Sequence, residues 1–235
     1  MATGRTSRRT GRRAQSAEAA ARWNEILNAA AQSFYEKGYE GTSLQEIAEA
    51  AGLLKASIFY YIKSKEDLLL ALVTRAQEQF ASMLVEDEEL AAAPIPDRLR
   101  AFVDRWMALS ETDREWNVVA EREFTRLSPA NLELVIANRD KASAFVKGLL
   151  SDGIQDGYFD PNVDLSLATT VIFELMLTTH LWHRPDARLT IAEVGHWYGD
   201  FIIRGLAPAA GAAAPTPAKP AKRTVASKRM LTSRA

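Results

Sequence analysis

Residues 43–62 combine cationic and hydrogen-bonding side chains with the pattern of two short helices. Gly52 lies between the helices, where the turn needs a residue that tolerates positive φ, and Ala48 is small where the helices must approach. Ile58 and Ile62 give the second helix an inward apolar side. Its other side then presents groups able to contact bases and phosphates, namely Lys55, Ser57, Tyr60 and Tyr61. This arrangement predicts a helix-turn-helix that binds DNA.

Four strings of residues keep a specific spacing around this segment. They are Thr42-Ser43-Leu44-Gln45-Glu46-Ile47-Ala48, Ala51-Gly52-Leu53, Ile58-Phe59-Tyr60-Tyr61-Ile62 and Ser64-Lys65-Glu66-Asp67-Leu68. Through them, residues 22–72 resemble the DNA-binding domain of TetR-family regulators. The resemblance implies a homodimer on a palindromic operator in double-stranded DNA, with a recognition helix in each of two successive major grooves.

The resemblance also implies which side chains contact DNA. Leu54 departs from the family, because a serine or threonine usually caps the recognition helix there, and Phe59 replaces a tyrosine whose hydroxyl often reaches a phosphate. We therefore expect an uncapped recognition helix. For the pattern alone, an ordinary helical corner is the alternative interpretation. The resemblance assigns backbone phosphates to Thr42, Tyr61 and Lys65, assigns base edges to Lys55, Ala56, Ser57 and Tyr60, and includes Ser43 in the same set.

Helical periodicity runs through most of the chain, and no stretch alternates as a strand would. The predicted fold is all-α, an N-terminal three-helix helix-turn-helix domain followed by a larger helical ligand-binding and dimerisation bundle. Helices are expected near 23–37, 43–51, 55–61, 65–85, 97–111, 114–127, 130–152, 164–183 and 190–206. Capping signals mark four of the starts, namely Thr42 with Gln45, Ser64, Ser128 before Pro129, and Thr190 with Glu193.

Charge is unevenly distributed along the chain. Residues 1–20 hold five arginines and one acid, residues 207–235 hold six basic and no acidic side chains, and the residues between hold 18 basic and 29 acidic ones. Basic tails are attracted to nucleic acid, although a purely solubilising spacer is the alternative. The predicted division is a disordered basic arm at 1–20, a helix-turn-helix domain at 21–66, a ligand-binding and dimerisation domain at 67–206, and a disordered basic tail at 207–235.

Beyond residue 80 the chain resembles the family mainly in layout, as a helical bundle with a ligand cavity and a dimer face. Large adaptable side chains and mixed polar groups suit such a cavity. Ordinary core packing is the alternative for each of them, because periodicity does not separate a pocket wall from a core. The candidate ligand-binding residues are Trp106, Trp116, Asn117, Glu121, Arg122, Phe124, Phe145 and Phe173.

A weaker resemblance concerns the effector and the dimer. Two segments resemble those of family members that control fatty-acid and steroid catabolism. They are Gly157-Tyr158-Phe159-Asp160-Pro161 and Leu181-Trp182-His183-Arg184-Pro185. Such relatives sense acyl-CoA thioesters, so the resemblance implies an acyl-CoA effector; other hydrophobic small molecules, including drugs, are the alternative. Phosphate partners would come from Arg122, Arg126, Arg139 and Lys147. The last two long helices, which are expected to pair with their copies, carry Leu167, Val171, Leu175, Ile191, Val194, Phe201 and Ile202.

Several classes of function lack the residues they need. The chain has no cysteine, which excludes disulfides and thiolate sites. Of the three histidines, His180 and His183 are three positions apart, but neither His196 nor another residue supplies a third ligand at metal-site spacing. No metal or cofactor is therefore expected. No phosphate loop, nucleophile elbow or paired catalytic carboxylates occur, so no enzymatic activity is expected. The absence of a signal or a membrane-length apolar run predicts a cytoplasmic protein without a membrane partner. An architectural DNA binder that relies on its tails is the second hypothesis.

Overall fold

The computed structural model describes residues 5–84, 88–184 and 186–209, with side chains from Glu18 onward. Within these ranges the chain is all-helical and contains no strand, which confirms the predicted fold class. The N-terminal helices are α1 (Arg5–Lys37), α2 (Leu44–Ala50), α3 (Lys55–Ile58) and α4 (Lys65–Met83). The others are α5 (Glu88–Ala92), α6 (Ile95–Thr112), α7 (Arg114–Glu123), α8 (Pro129–Gln155), α9 (Leu165–Leu177), α10 (Thr179–Trp182) and α11 (Ile191–Leu206), with a 3-10 turn at Phe124–Arg126.

The first helix is longer than the hydrophobic pattern predicts. It begins at Arg5 rather than near Trp23, so residues 5–20 of the expected disordered arm have helical backbone. Alanine and arginine favour helix, and they extend a helix that the core anchors further along without needing an apolar face of their own. Residues 210–235, which make up nearly all of the expected basic tail, lie outside the described residues. The division into four segments stays a prediction.

Two capping boxes lie where the sequence predicts helix starts. Ser64 accepts a hydrogen bond from the N–H of Asp67 at the start of α4, and Thr190 accepts one from the N–H of Glu193 at the start of α11. In both boxes the acidic side chain accepts from the cap residue's own N–H. Such boxes satisfy donors that the first turn of a helix leaves free.

The start of α2 is shifted by one residue from its predicted cap. Ser43 with Glu46 forms the capping box, so the expectation of Thr42 with Gln45 is wrong. The cause is burial of Thr42, whose hydroxyl is already hydrogen-bonded inside the domain. A side chain turned into the core is not available to cap the next helix.

Two hydrophobic cores divide the molecule, and α4 contributes to both. The first core joins α1, α2, α3 and the first half of α4 to α7, around buried residues such as Phe34, Ile47 and Leu68. The second joins α6, α8, α9 and α11, and Phe80 and Leu84 from the second half of α4 pack against it. Helix α4 therefore connects the helix-turn-helix to the rest of the bundle.

The bundle departs from the predicted helices in several places, and the expected helix 114–127 is α-helical only to Glu123. The expected helix 164–183 is divided into α9 and α10 at Thr178. At this break, the hydroxyls of Thr178 and Thr179 donate to the carbonyls of Glu174 and Leu175, a type of bond that bends helices. The short helix α5 was not predicted, since it lacks an apolar face and none of its residues is buried.

Candidate DNA interface and ligand cavity

The turn between α2 and α3 has the geometry that the sequence predicts. Gly52 has φ 65°, which a residue with a side chain adopts only under strain, and Ala48 is fully buried where the helices approach. The N–H of Leu53 donates to the carbonyl of Ala48 over 2.7 Å and closes the turn. Ile58 is fully buried and anchors α3 on the core. The opposite side of α3 is therefore directed to solvent.

The predicted base-reading residues lie together on that outer side. Lys55 and Ala56 are exposed, and Tyr60 is 86% exposed. Ser57 and Tyr61 are half-buried, and the rings of Tyr60 and Tyr61 meet edge to face at 5.1 Å. The α-helix ends at Ile58, and the chain continues as a turn through Tyr61. The recognition helix is therefore shorter than the expected range 55–61.

Two predicted phosphate contacts have their side chains tied into the fold. The hydroxyl of Thr42 is buried and lies 3.0 Å and 2.9 Å from the carbonyl oxygens of Ser33 and Gly38. The ammonium group of Lys65 donates to the carbonyls of Tyr39 and Thr42 and lies over the Tyr39 ring. Both side chains thus hydrogen-bond within the loop between α1 and α2, and their contact with DNA phosphates stays a prediction.

Ser43, the remaining member of the predicted set, is exposed at the first turn of α2. Its hydroxyl accepts from the N–H of Glu46, whose carboxylate in turn accepts from Lys37 over 2.6 Å. The hydrogen bond from Lys37, followed by those from Ser43, lowers the pKa of Glu46 to about 2. The carboxylate therefore stays charged at neutral pH and holds the start of α2.

A cavity of about 900 Å³ lies among α4, α6, α7, α8 and α9. Half of the candidate ligand residues line it, namely Trp106, Asn117, Glu121 and Phe173. The rings of Phe80, Trp106 and Phe173 form one aromatic wall, with centroids 4.3 Å apart for Phe80 and Trp106 and 5.7 Å apart for Trp106 and Phe173. The volume falls in the range typical of small-molecule sites.

The other four candidates do not line the cavity. Trp116 is buried in the first core and its indole N–H donates to Asn28 over 3.1 Å. Arg122 is directed to the end of α1, Phe124 packs against the first core, and Phe145 packs beside Phe102 in the second. Periodicity shows which residues are apolar and not which of two packed faces holds a void.

Charged residues of the cavity wall were only partly anticipated. Of the suggested phosphate partners, Arg139 and Lys147 line the cavity, whereas Arg122 and Arg126 do not. The wall also includes Arg114 and Lys141, which no sequence signal singled out. The Arg139 guanidinium pairs with Glu121 and stacks on the Phe124 ring at 3.9 Å.

Helix α7 is hydrogen-bonded to the DNA-binding domain along its length. Trp116 near its start donates to Asn28 of α1. Arg122 near its end donates to the carbonyls of Phe34 and Tyr35 in the last turn of α1. An ion pair between Arg122 and Glu123 holds the guanidinium in place. The helix therefore has the cavity on one side and α1 on the other.

Apolar side chains of α9 and α11 remain exposed on the outside of the bundle. Of the residues expected at the dimer face, Leu167, Val171 and Phe201 are exposed, Leu175 is half-buried, and Ile191, Val194 and Ile202 belong to the second core. Trp197, which was not predicted, stacks on Phe201 at 5.1 Å and is 57% exposed. By length and composition alone, the stretch Leu165–Trp182 would also pass as a membrane span.

The histidines show no arrangement suited to a metal. In the described part of the chain, no group of three histidine, aspartate or glutamate side chains is placed to hold an ion. His180 Nδ1 is 2.7 Å from the carbonyl oxygen of Leu177, and His183 Nε2 is 2.8 Å from that of Leu189. Both rings have structural partners.

Comparison with known proteins gives two family matches. Residues 26–72 match the bacterial regulatory proteins of the tetR family, and residues 92–206 match the tetracyclin repressor-like C-terminal domain. The HTH-type transcriptional repressor KstR2 of Mycobacterium tuberculosis (strain ATCC 25618 / H37Rv) is 27% identical over 186 residues, which cover 79% of this chain and 92% of the relative.

Solved structures agree with these matches. The TetR family transcriptional regulator PfmR from Thermus thermophilus has a TM-score of 0.70 and 32% identity, covering 78% of this chain and 99% of that one. AibR in complex with isovaleryl coenzyme A and operator DNA has a TM-score of 0.68 and 27% identity, covering 79% and 97% of the two chains.

Proposed function

The chain belongs to the tetR family of bacterial regulatory proteins, and we propose that an acyl-CoA thioester in its cavity releases it, as a repressor, from a palindromic operator. It is a DNA-binding transcriptional regulator of the helix-turn-helix type and forms a homodimer. The observation that carries the effector proposal is the cavity, which joins an aromatic wall to cationic side chains. An amphipathic anion fits this combination.

The aromatic part of the cavity suits the acyl group. Phe80, Trp106 and Phe173 meet edge to face or tilted there, and the cavity wall also includes Met83 and Met176, whose flexible side chains adapt to ligand shape. Burial of an acyl chain against this wall is favourable by about 0.8 kcal/mol per methylene. Chain length should therefore affect affinity.

The cationic part suits the phosphates of coenzyme A. Arg139, Lys141 and Lys147 all lie on α8 and line the same cavity. Lys141 is exposed and Lys147 is half-buried, so they are placed where the cavity meets solvent. Guanidinium and ammonium groups are the usual partners of phosphate oxygens. The relative AibR was solved with isovaleryl coenzyme A, which supports this ligand class.

A route from the cavity to DNA follows from the position of Arg139. A ligand phosphate beside Arg139 competes with the carboxylate of Glu121 for the guanidinium. Glu121 adjoins Arg122 in α7, and Arg122 holds the last turn of α1 through the carbonyls of Phe34 and Tyr35. A ligand that favours a displaced α7 thereby shifts the population of dimers away from the spacing that fits the operator.

The same proposal covers location and catalysis. The relatives are transcriptional regulators, so we place this protein in the cytoplasm, where its DNA and its effector occur, and we assign it no enzymatic role.

Four glutamates also line the cavity, namely Glu78, Glu111, Glu121 and Glu174. They favour a cationic amphiphile as the second candidate effector.

The test is operator affinity measured with and without effector. Operator fragments are selected from genomic DNA with the full-length dimer, and binding is followed by fluorescence anisotropy with coenzyme A, short- and long-chain acyl-CoA, free fatty acid and a cationic amphiphile. We expect long-chain acyl-CoA to weaken binding about tenfold or more, equivalent to about 1.4 kcal/mol of preference for the released state. Coenzyme A and fatty acid, which each fill only part of the cavity, should have smaller effects.

A matched pair of variants identifies the site. Arg139→Gln should reduce the acyl-CoA effect, whereas Arg126→Gln, on an exposed arginine outside the cavity, should leave it unchanged. Operator binding that no acyl-CoA alters would contradict the effector proposal. Release by the cationic amphiphile alone would establish the second candidate instead.

A further inference from the structure

Two consecutive leucines enter the recognition helix in different environments. Leu53 is half-buried and packs against the first core, with its N–H bonded to the carbonyl of Ala48. Leu54 is 79% exposed and occupies the N-cap position of α3, where no side-chain hydrogen bond caps the helix. The uncapped start that the sequence predicts is confirmed. The core therefore explains Leu53, whereas the side chain of Leu54 belongs to neither hydrophobic core.

An exposed leucine is an unfavourable choice at this position for the free protein. Serine, threonine, aspartate and asparagine stabilise a helix as N-cap residues, whereas leucine does not. Its side chain also leaves apolar surface in water. The helix that it begins is α3, which has four residues and needs its cap more than a long helix would. Contact with DNA would remove this apolar surface from water.

Residues at the start of a recognition helix face base edges in the major groove. The one apolar group that the major groove presents is the C5-methyl of thymine. We propose that Leu54 determines operator specificity by contacting a thymine methyl in each half-site. The inference rests on the DNA-binding function of this domain and concerns a position where the family usually has a serine or threonine.

Neighbouring side chains favour DNA over a protein partner as the occupant of this surface. Lys55 follows Leu54 directly and Lys63 lies just beyond the helix, and both are exposed cations suited to phosphates. Ala56 is exposed and small, so it does not hold the start of α3 away from a groove floor. The exposed apolar residues of the dimer face lie on α9 and α11, which are separate elements.

The test removes the methyl group from DNA and the leucine from the protein in turn. Each thymine of the selected operator is replaced by uracil in both half-sites, and affinity is measured for the wild type and for Leu54→Ala. For the wild type, uracil at one symmetric thymine pair should reduce operator affinity by roughly fourfold per methyl group, which is the factor expected from the transfer of one buried carbon group. For the two half-sites together, the reduction should be roughly sixteenfold. For Leu54→Ala, uracil and thymine should bind alike at that pair.

Controls separate this contact from general effects. Leu134→Ala, on another exposed leucine in α8, should keep the wild-type response to uracil. Leu54→Ser restores a capping side chain and should also lose the response, so a loss in both variants excludes simple disorder of α3. Equal thymine and uracil affinities at every position of the wild type would overturn the proposal, as would an undiminished uracil effect in Leu54→Ala at every position where the wild type shows one. Failure to select any operator would instead contradict the regulatory function itself.

Discussion

Thr42 illustrates how a residue of the DNA-binding motif can stabilise the fold. Its buried hydroxyl lies between the carbonyls of Ser33 and Gly38, so it closes the loop that joins α1 to α2. We predict that Thr42→Val, which keeps the shape and removes the hydroxyl, lowers the free energy of unfolding by about 1–3 kcal/mol, because the carbonyls lose a buried donor. Denaturant unfolding of the full-length protein measures the change.

Thr42→Ser is the matched variant for this prediction, since it keeps the donor. It should recover most of the lost stability, and its operator affinity should stay near that of the wild type. A Thr42→Val protein of unchanged stability with strongly reduced operator affinity would instead assign the hydroxyl to DNA.

At single positions, the sequence predicted backbone conformation and burial better than it predicted hydrogen-bond partners. Gly52, Ala48 and Ile58 have the roles that their types and spacing indicate, because backbone conformation and burial depend on local pattern. Ser43 rather than Thr42 caps α2 because the Thr42 hydroxyl donates to the carbonyl of Ser33, nine positions earlier in the chain. Such a contact follows from tertiary packing and leaves no trace in a capping motif.

Helix α7 joins cavity and DNA-binding domain, and Arg122 is its contact with the last turn of α1. We predict that Arg122→Ala weakens the effect of an acyl-CoA on operator affinity by several fold while ligand affinity itself stays near the wild-type value. The reason is that coupling between two sites requires contacts that differ between the two states, and this substitution removes one without altering the cavity wall. Isothermal titration and operator anisotropy measure the two quantities separately.

Arg126→Ala is the control for that prediction, because Arg126 is exposed on the following 3-10 turn. It should keep the full effector response. An Arg122→Ala protein with unchanged coupling would show that the signal bypasses the end of α1 and passes through α4 alone.

For whole elements, apolar periodicity predicted every long helix, but it did not predict the cavity between them. Trp106 and Trp116 both lie on amphipathic helices, yet only Trp106 lines the void, whereas Trp116 bonds to Asn28. The difference depends on how α6 and α7 are rotated against α4 and α1. Arg139 was suggested only as a cation, and its pairing with Glu121 depends on how α8 packs against α7.

At the scale of the whole molecule, the exposed apolar side chains of α9 and α11 require a partner. Leu167, Val171, Trp197 and Phe201 are each at least 47% exposed in the single chain, and a homodimer accounts for them if the four helices of two copies pack together. The same pairing covers the apolar stretch Leu165–Trp182, so no membrane is needed to explain it. Two recognition helices are then held at one fixed separation.

We predict that Trp197→Glu combined with Phe201→Glu converts the dimer to a monomer, because two carboxylates per copy would be desolvated in the interface. Sedimentation equilibrium should show half the mass. Affinity for a two-half-site operator should fall on the order of a hundredfold or more, since the second half-site no longer binds as part of the same molecule, while circular dichroism should show an unchanged helical fold. Leu134→Glu, at an exposed site on α8, should leave both mass and affinity unaltered; a variant that stays dimeric would place the interface elsewhere.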